Sequence, residues 1–128
     1  MSSENLHESP DVLPPEVIDR HRAIVSLMEE FEAIDWYDQR AAAATDPELV
    51  KILEHNRDEE KEHAAMVLEW IRRNDPVLDR ELRTYLFSEG SIVDVEEQAA
   101  GVSDAGAKED GEAKGGLSLG NLHGSENT

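Results

Sequence analysis

The sequence predicts an all-α fold: an antiparallel two-helix hairpin with a short third helix, dimerising into a four-helix bundle and trailing a disordered acidic tail. Three observations carry this. Two long stretches, Glu16 to Ala44 and Glu48 to Asn74, contain neither glycine nor proline. Their inward positions recur at alternating spacings of four and three, the period of a helix face packed in a bundle. Beyond Gln98 the composition turns to Gly, Ala and acid, with little to build a core.

Taken in order, residues 1–15 are polar and end in Pro14-Pro15, which reads as a disordered N-terminal tail stopping at a helix start. Residues 16–97 form the helical domain. Its first helix reaches Ala44, where Thr45-Asp46-Pro47-Glu48 interrupts it. Thr45 with Glu48 three residues on matches a capping box for the second helix, and proline is tolerated in a first turn. Arg72 and Arg73 suit the negative end of that helix, and Asp75-Pro76 breaks it. A third helix, from Val77 to about Ser88, carries Leu78, Leu82, Tyr85 and Leu86 on one side, with Gly90 as its stop. Residues 98–116 read as a flexible linker. Residues 117–124, LSLGNLHG, restore three leucines before a last tail at 125–128. No internal repeat is visible, and two long helices alone bury so little that a second copy is needed to complete the core.

The formal net charge of −18, from 30 acidic and 12 basic residues, argues against nucleic acid and anionic membranes as partners and suits divalent cations. With no cysteine, disulfides, thiolate zinc sites and iron–sulfur clusters are excluded. The chain has neither a basic, apolar leader nor a run able to span a bilayer, so the expected location is the cytoplasm.

Helical phase singles out the chemistry. In the second helix Leu49, Leu53, Asn56, Glu60, His63, Val67 and Trp70 form one seam; in the first, Ala23, Leu27, Glu30, Ile34 and Tyr37 form its match. Each apolar seam is interrupted by a carboxylate. In a hairpin that turns at Thr45-Asp46-Pro47, Glu30 and Glu60 lie equidistant from the turn, about 22 Å along each helix at roughly 1.5 Å per residue. His63 follows under one turn later. Two inward carboxylates demand neutralisation, and neither seam carries a Lys or Arg, so a metal is the natural counter-charge. Donors of type O, O and N suit iron or manganese. They are also half of the set that di-iron carboxylate bundles use: one Glu from each of two helices and Glu-x-x-His from each of the other two. Here the Glu-x-x-His is Glu60-Lys61-Glu62-His63. Two copies supply four carboxylates and two imidazoles, which balance two Fe(II) ions per dimer interface.

The stretches RHRAIVSLMEEFEAIDWYDQR, HNRDEEKEHAAMVLEWIRRND and LRTYLFSEG, with the terminal LSLGNLHG, resemble the encapsulated ferritins, ferritin-like proteins housed inside encapsulin nanocompartments. The resemblance implies two-helix protomers paired around a ferroxidase centre, assembled as an annular decamer that stores mineral only with the encapsulin shell. It assigns Glu30, Glu60 and His63 as ferroxidase ligands and Tyr37 as an aromatic residue supporting them. Glu29 and Glu32, with Trp36 nearby, match a site where iron or other divalent cations enter on the ring's inner surface. Residues 117–124 match an encapsulin-targeting peptide.

The function expected is oxidation of Fe(II) to Fe(III) by dioxygen at an intersubunit di-iron centre, for iron storage inside the shell. Two rivals stand beside it: another di-iron oxidase or peroxidase of rubrerythrin type, and a non-enzymatic acidic assembly that sequesters metal. The absence of a Cys-x-x-Cys segment weighs against the first. Of the remaining groups, Glu59 and Glu62 read as a solvated face, His21 and His55 as interface or surface hydrogen bonders, and His7 and His123 as tail residues.

Overall fold

Proline placement sets the helix starts. The computed structural model describes residues 6–106. Within the segment expected to be a loose tail, Ser9 caps a short 3-10 turn, Pro10–Val12, by accepting a hydrogen bond from the Asp11 amide at 3.3 Å. Helix α1, Pro15–Ala43, starts on Pro15, whose fixed φ suits the first helical position. The Pro14 carbonyl accepts from the amides of Val17 and Ile18.

Helix α2, Pro47–Arg73, corrects the expected capping box. Because Pro47 occupies the first helical position, the cap falls on Asp46, whose side chain accepts from the Leu49 amide at 2.9 Å. Thr45 lies one residue too early, and Glu48 sits in the first turn. A cap of this type stabilises a helix by about 1 kcal/mol. At the other end the Asn74 side chain donates to the Trp70 carbonyl at 2.8 Å. Arg72 and Arg73 lie in the last turn as expected, and both guanidinium groups also hold Glu69, at 2.7–2.8 Å. They depress its carboxyl to about 2.

The two long helices run antiparallel. Stepping back along α1 from Asp38 to Glu30 steps forward along α2 from Arg57, which pairs with Asp38 at 3.1 Å, to Glu60 and His63. The seam is close to the one read from periodicity, with one adjustment. Among the described residues the buried apolar ones are Val25, Ala41, Ala64 and Ile71, whereas Leu49 and Trp70 remain at least 40 % exposed. On α2 the most enclosed line therefore passes through Ala64 and Ile71, rotated slightly from the predicted one. Four small or medium side chains make a thin core, while Met28, Phe31, Met66 and Trp70 stay open to solvent.

Helices α3, Pro76–Tyr85, and α4, Ile92–Gly106, form a second unit. Asp75 caps α3 by accepting from the Leu78 amide at 3.0 Å. This helix stops short of the expected Ser88. Leu86 is its C-cap, Phe87 adopts a left-handed φ of 63°, and the Ser88 hydroxyl donates to the Tyr85 carbonyl at 2.7 Å. Gly90, with φ 83°, completes the reversal that proline or a branched residue would resist. Helix α4 is a further correction, since a linker was expected from residue 98 onward. Ile92 to Ala100 holds no helix breaker, and Ala99 and Ala100 are strong helix formers, so the helix continues through Gly101. The rest of the linker and the peptide 117–124 lie outside the described residues. No helix among the described residues is long and apolar enough to cross a membrane.

Candidate metal centre

Antiparallel pairing brings the three sequence-predicted ligands to one level. Among the described residues, Glu30, Glu60 and His63 form a group whose ligand atoms all lie within 4.8 Å of one another. His63 Nδ1 stands 3.6 Å from a Glu60 oxygen and 3.9 Å from a Glu30 oxygen. The i, i+3 spacing accounts for the first contact, because residues three apart share a helix face. The second is the register of the hairpin. The carboxylates retain 24 % and 26 % of their side-chain exposure and the imidazole 43 %. The group is thus half-enclosed by its own chain and open on the remaining side.

Beside a second carboxyl group, Glu30 does not ionise freely. Glu30 is raised above the usual 4.5, first by its hydrogen bond with Glu60, then by burial and by the negative charge of Glu60. Glu29 adds to the rise, and His63 opposes it. The sign of the resulting pH dependence is unusual. A carboxyl whose folded value exceeds its unfolded value binds its proton more tightly when folded, so its contribution is fully present below the unfolded value and is lost as pH rises through the folded one. The metal-free protein should therefore resist urea better as pH falls from 7 toward 5, and Glu30→Gln should flatten that trend. Unfolding midpoints at fixed protein concentration across this range check it. Glu69 acts in the opposite sense, but its contribution is lost only as pH falls from 4.5 toward 2, below this window.

The donor set fits a divalent cation. It offers two oxygens and one nitrogen and carries excess negative charge, while the nearby Arg57 of α2 is engaged by Asp58 and Asp38. Residues 5–89 match the EncFtn-like family. The chain belongs to the encapsulated ferritin family. It is 56 % identical to an encapsulated ferritin-like protein of Rhodospirillum rubrum, in an alignment covering 96 % of this chain and 91 % of that one. It is 50 % identical to a ferritin-like protein of Thermotoga maritima, over 80 % of this chain and 90 % of the relative. The crystal structure of protein ne0167 from Nitrosomonas europaea shares the fold, with a TM-score of 0.67 and 58 % identity over 69 % of this chain and 97 % of that one. Membership in the encapsulated ferritins makes the chain a ferritin-like protein, in keeping with its all-helical architecture.

The other sequence-predicted residues of this encapsulated ferritin are not drawn into the group. Glu29, Glu32 and Trp36 are exposed on α1, and Tyr37, on the Glu30 seam, is half-buried. Arg40 lies over both aromatic rings, 5.8 Å from the Trp36 centroid and 5.4 Å from that of Tyr37. Glu59 lies on the exposed face expected for it, and it also places one carboxylate oxygen 3.9 Å from His63 Nε2 and the other 3.7 Å from His55 Nε2, a proximity the sequence reading did not single out. Its i, i+4 spacing from both histidines was the available signal.

Proposed function

We propose that the protein is a ferroxidase. Two hairpins pair across the open side of the Glu30/Glu60/His63 group, two Fe(II) ions bind as substrate between the half-sites, and dioxygen takes their electrons. Fe(III) then leaves for mineral growth inside an encapsulin shell. The observation that carries this reading is the half-enclosed trio of two carboxylates and an imidazole: its donors converge, yet one chain leaves it open. Two copies give four carboxylates, whose charge matches two Fe(II) ions.

The chain's own residues have separable tasks. Glu30 and Glu60 supply the charge that draws Fe(II) from water, and a cation bound between them offsets the repulsion of the two carboxylates. His63 adds a neutral donor from the side. Holding two reducing ions together lets dioxygen accept two electrons in one encounter. Tyr37 lines the seam one helical stretch away. Glu29, Glu32 and Trp36 form an exposed acidic approach where iron or other divalent cations collect before they enter. The thin core and the exposed Met28, Phe31, Met66 and Trp70 support assembly of the hairpins into dimers and then a decameric ring. The name of the Rhodospirillum rubrum relative supports housing within a shell, reached through residues 117–124, in the cytoplasm.

Anaerobic Fe(II) titration followed by native mass measurement tests the proposal. It should show about one ion per chain bound at the centre, held in even-numbered assemblies that grow as iron is added. A strictly monomeric form that oxidises Fe(II) at the full rate would falsify the intersubunit centre.

A further inference from the structure

The two ring nitrogens of His63 meet different neighbours. Nδ1 faces the gap between Glu60, at 3.6 Å, and Glu30, at 3.9 Å. Nε2 faces away from that gap, toward a Glu59 oxygen at 3.9 Å. The other Glu59 oxygen stands 3.7 Å from His55 Nε2, one helical turn further back. His55, Glu59 and His63 thus form an i, i+4, i+8 line that ends at the metal ligands.

We infer that Glu59 is a positioning residue for His63: its carboxylate takes the Nε2–H and so presents the Nδ1 lone pair to a metal between Glu30 and Glu60. The inference rests on the metal centre proposed above. A neutral imidazole has one N–H and one lone pair, and an ionised carboxylate only accepts, so a carboxylate at Nε2 selects the ring form with its lone pair on Nδ1. Helix geometry favours the arrangement, because a helical side chain leans back over the preceding turn, where Glu59 waits for His63. The distance of 3.9 Å exceeds a hydrogen bond, and contacts of this kind shorten once the ligand is engaged. A carboxylate behind a metal-bound histidine also raises its basicity, and losing such a partner lowers metal affinity by about 10–100-fold.

The test uses the full chain. Anaerobic Fe(II) affinity is measured for the parent, Glu59→Ala, Glu59→Gln, Glu62→Ala and His63→Ala. In parallel, ¹⁵N NMR of the metal-free proteins at mildly alkaline pH reports which nitrogen of His63 carries the proton. Glu59→Ala should weaken Fe(II) binding by about 10–100-fold at unchanged stoichiometry and reduce the Nε2–H form. Glu59→Gln, whose amide oxygen accepts the same hydrogen, should recover most of both. Glu62→Ala removes the same charge nearby and should stay within about threefold of the parent. Parent-like affinity and tautomer in Glu59→Ala, with binding lost in His63→Ala, overturn the positioning role alone. A Glu62→Ala loss equal to that of Glu59→Ala also overturns it, since general charge then explains the effect. Parent-like affinity in both Glu59→Ala and His63→Ala overturns the metal centre and the role of Glu59 with it.

Discussion

Glu30→Ala, Glu60→Ala and His63→Ala should each slow catalysed Fe(II) oxidation by about 100-fold or more, because a ligand that fixes a reacting metal is worth several kcal/mol and each 1.4 kcal/mol is tenfold in rate. The helices should survive. None of the three belongs to the buried set of Val25, Ala41, Ala64 and Ile71, so no cavity forms. Glu30→Ala and Glu60→Ala also relieve a like-charged, hydrogen-bonded pair and should leave the metal-free hairpin at least as stable as the parent. Stopped-flow absorbance of Fe(III) formation gives the rates, and far-ultraviolet circular dichroism gives the helical content. Glu62→Ala, on the exposed face, is the matched control. Parent rates in all three ligand variants would remove these residues from the reaction.

Deleting residues 117–124 should abolish loading into an encapsulin shell and leave Fe(II) oxidation in solution unchanged. The Glu30/Glu60/His63 group lies on α1 and α2, whereas Leu117, Leu119 and Leu122 follow a Gly- and acid-rich stretch of sequence. Three leucines suit a shallow apolar groove on a partner, and many copies on the proposed ring would raise the avidity by roughly 10²-fold or more. Co-expression with a shell protein, followed by purification of assembled shells, measures the outcome. Efficient loading of the truncated chain would dismiss the peptide as an address. Fusing residues 98–128 to an unrelated protein supplies the converse, and that protein should enter the shell.

Much of this architecture was legible because it depends on period and punctuation. Pro15, Pro47 and Pro76 fix three helix starts, and the seam of Leu27, Glu30, Ile34 and Tyr37 survives folding since nothing interrupts its phase. The convergence of Glu30, Glu60 and His63 was legible as well, as simple register around a tight turn. Finer readings failed where two local signals competed. Thr45 and Asp46 both make good caps, and the position of Pro47 decided between them. The Ala-rich segment after Gln98 suits either a linker or a helix, and composition alone does not weigh alanine against glycine. Glu59 was discounted because an exposed acid beside other exposed acids has no distinguishing pattern until the direction of His63 is known.

The thinness of the hairpin core carries over to the life of the chain in a cell. With four buried apolar side chains among its described residues, a lone hairpin holds back little free energy against unfolding, and Met28, Phe31, Met66 and Trp70 advertise it to chaperones and proteases. Abundance then depends on supply in two ways. If the proposed intersubunit centre holds, sparse chains meet too few partners to escape degradation, and metal-starved chains lack the ions that would bind them together. Iron scarcity alone should therefore shorten the half-life of the protein, with no change in its synthesis.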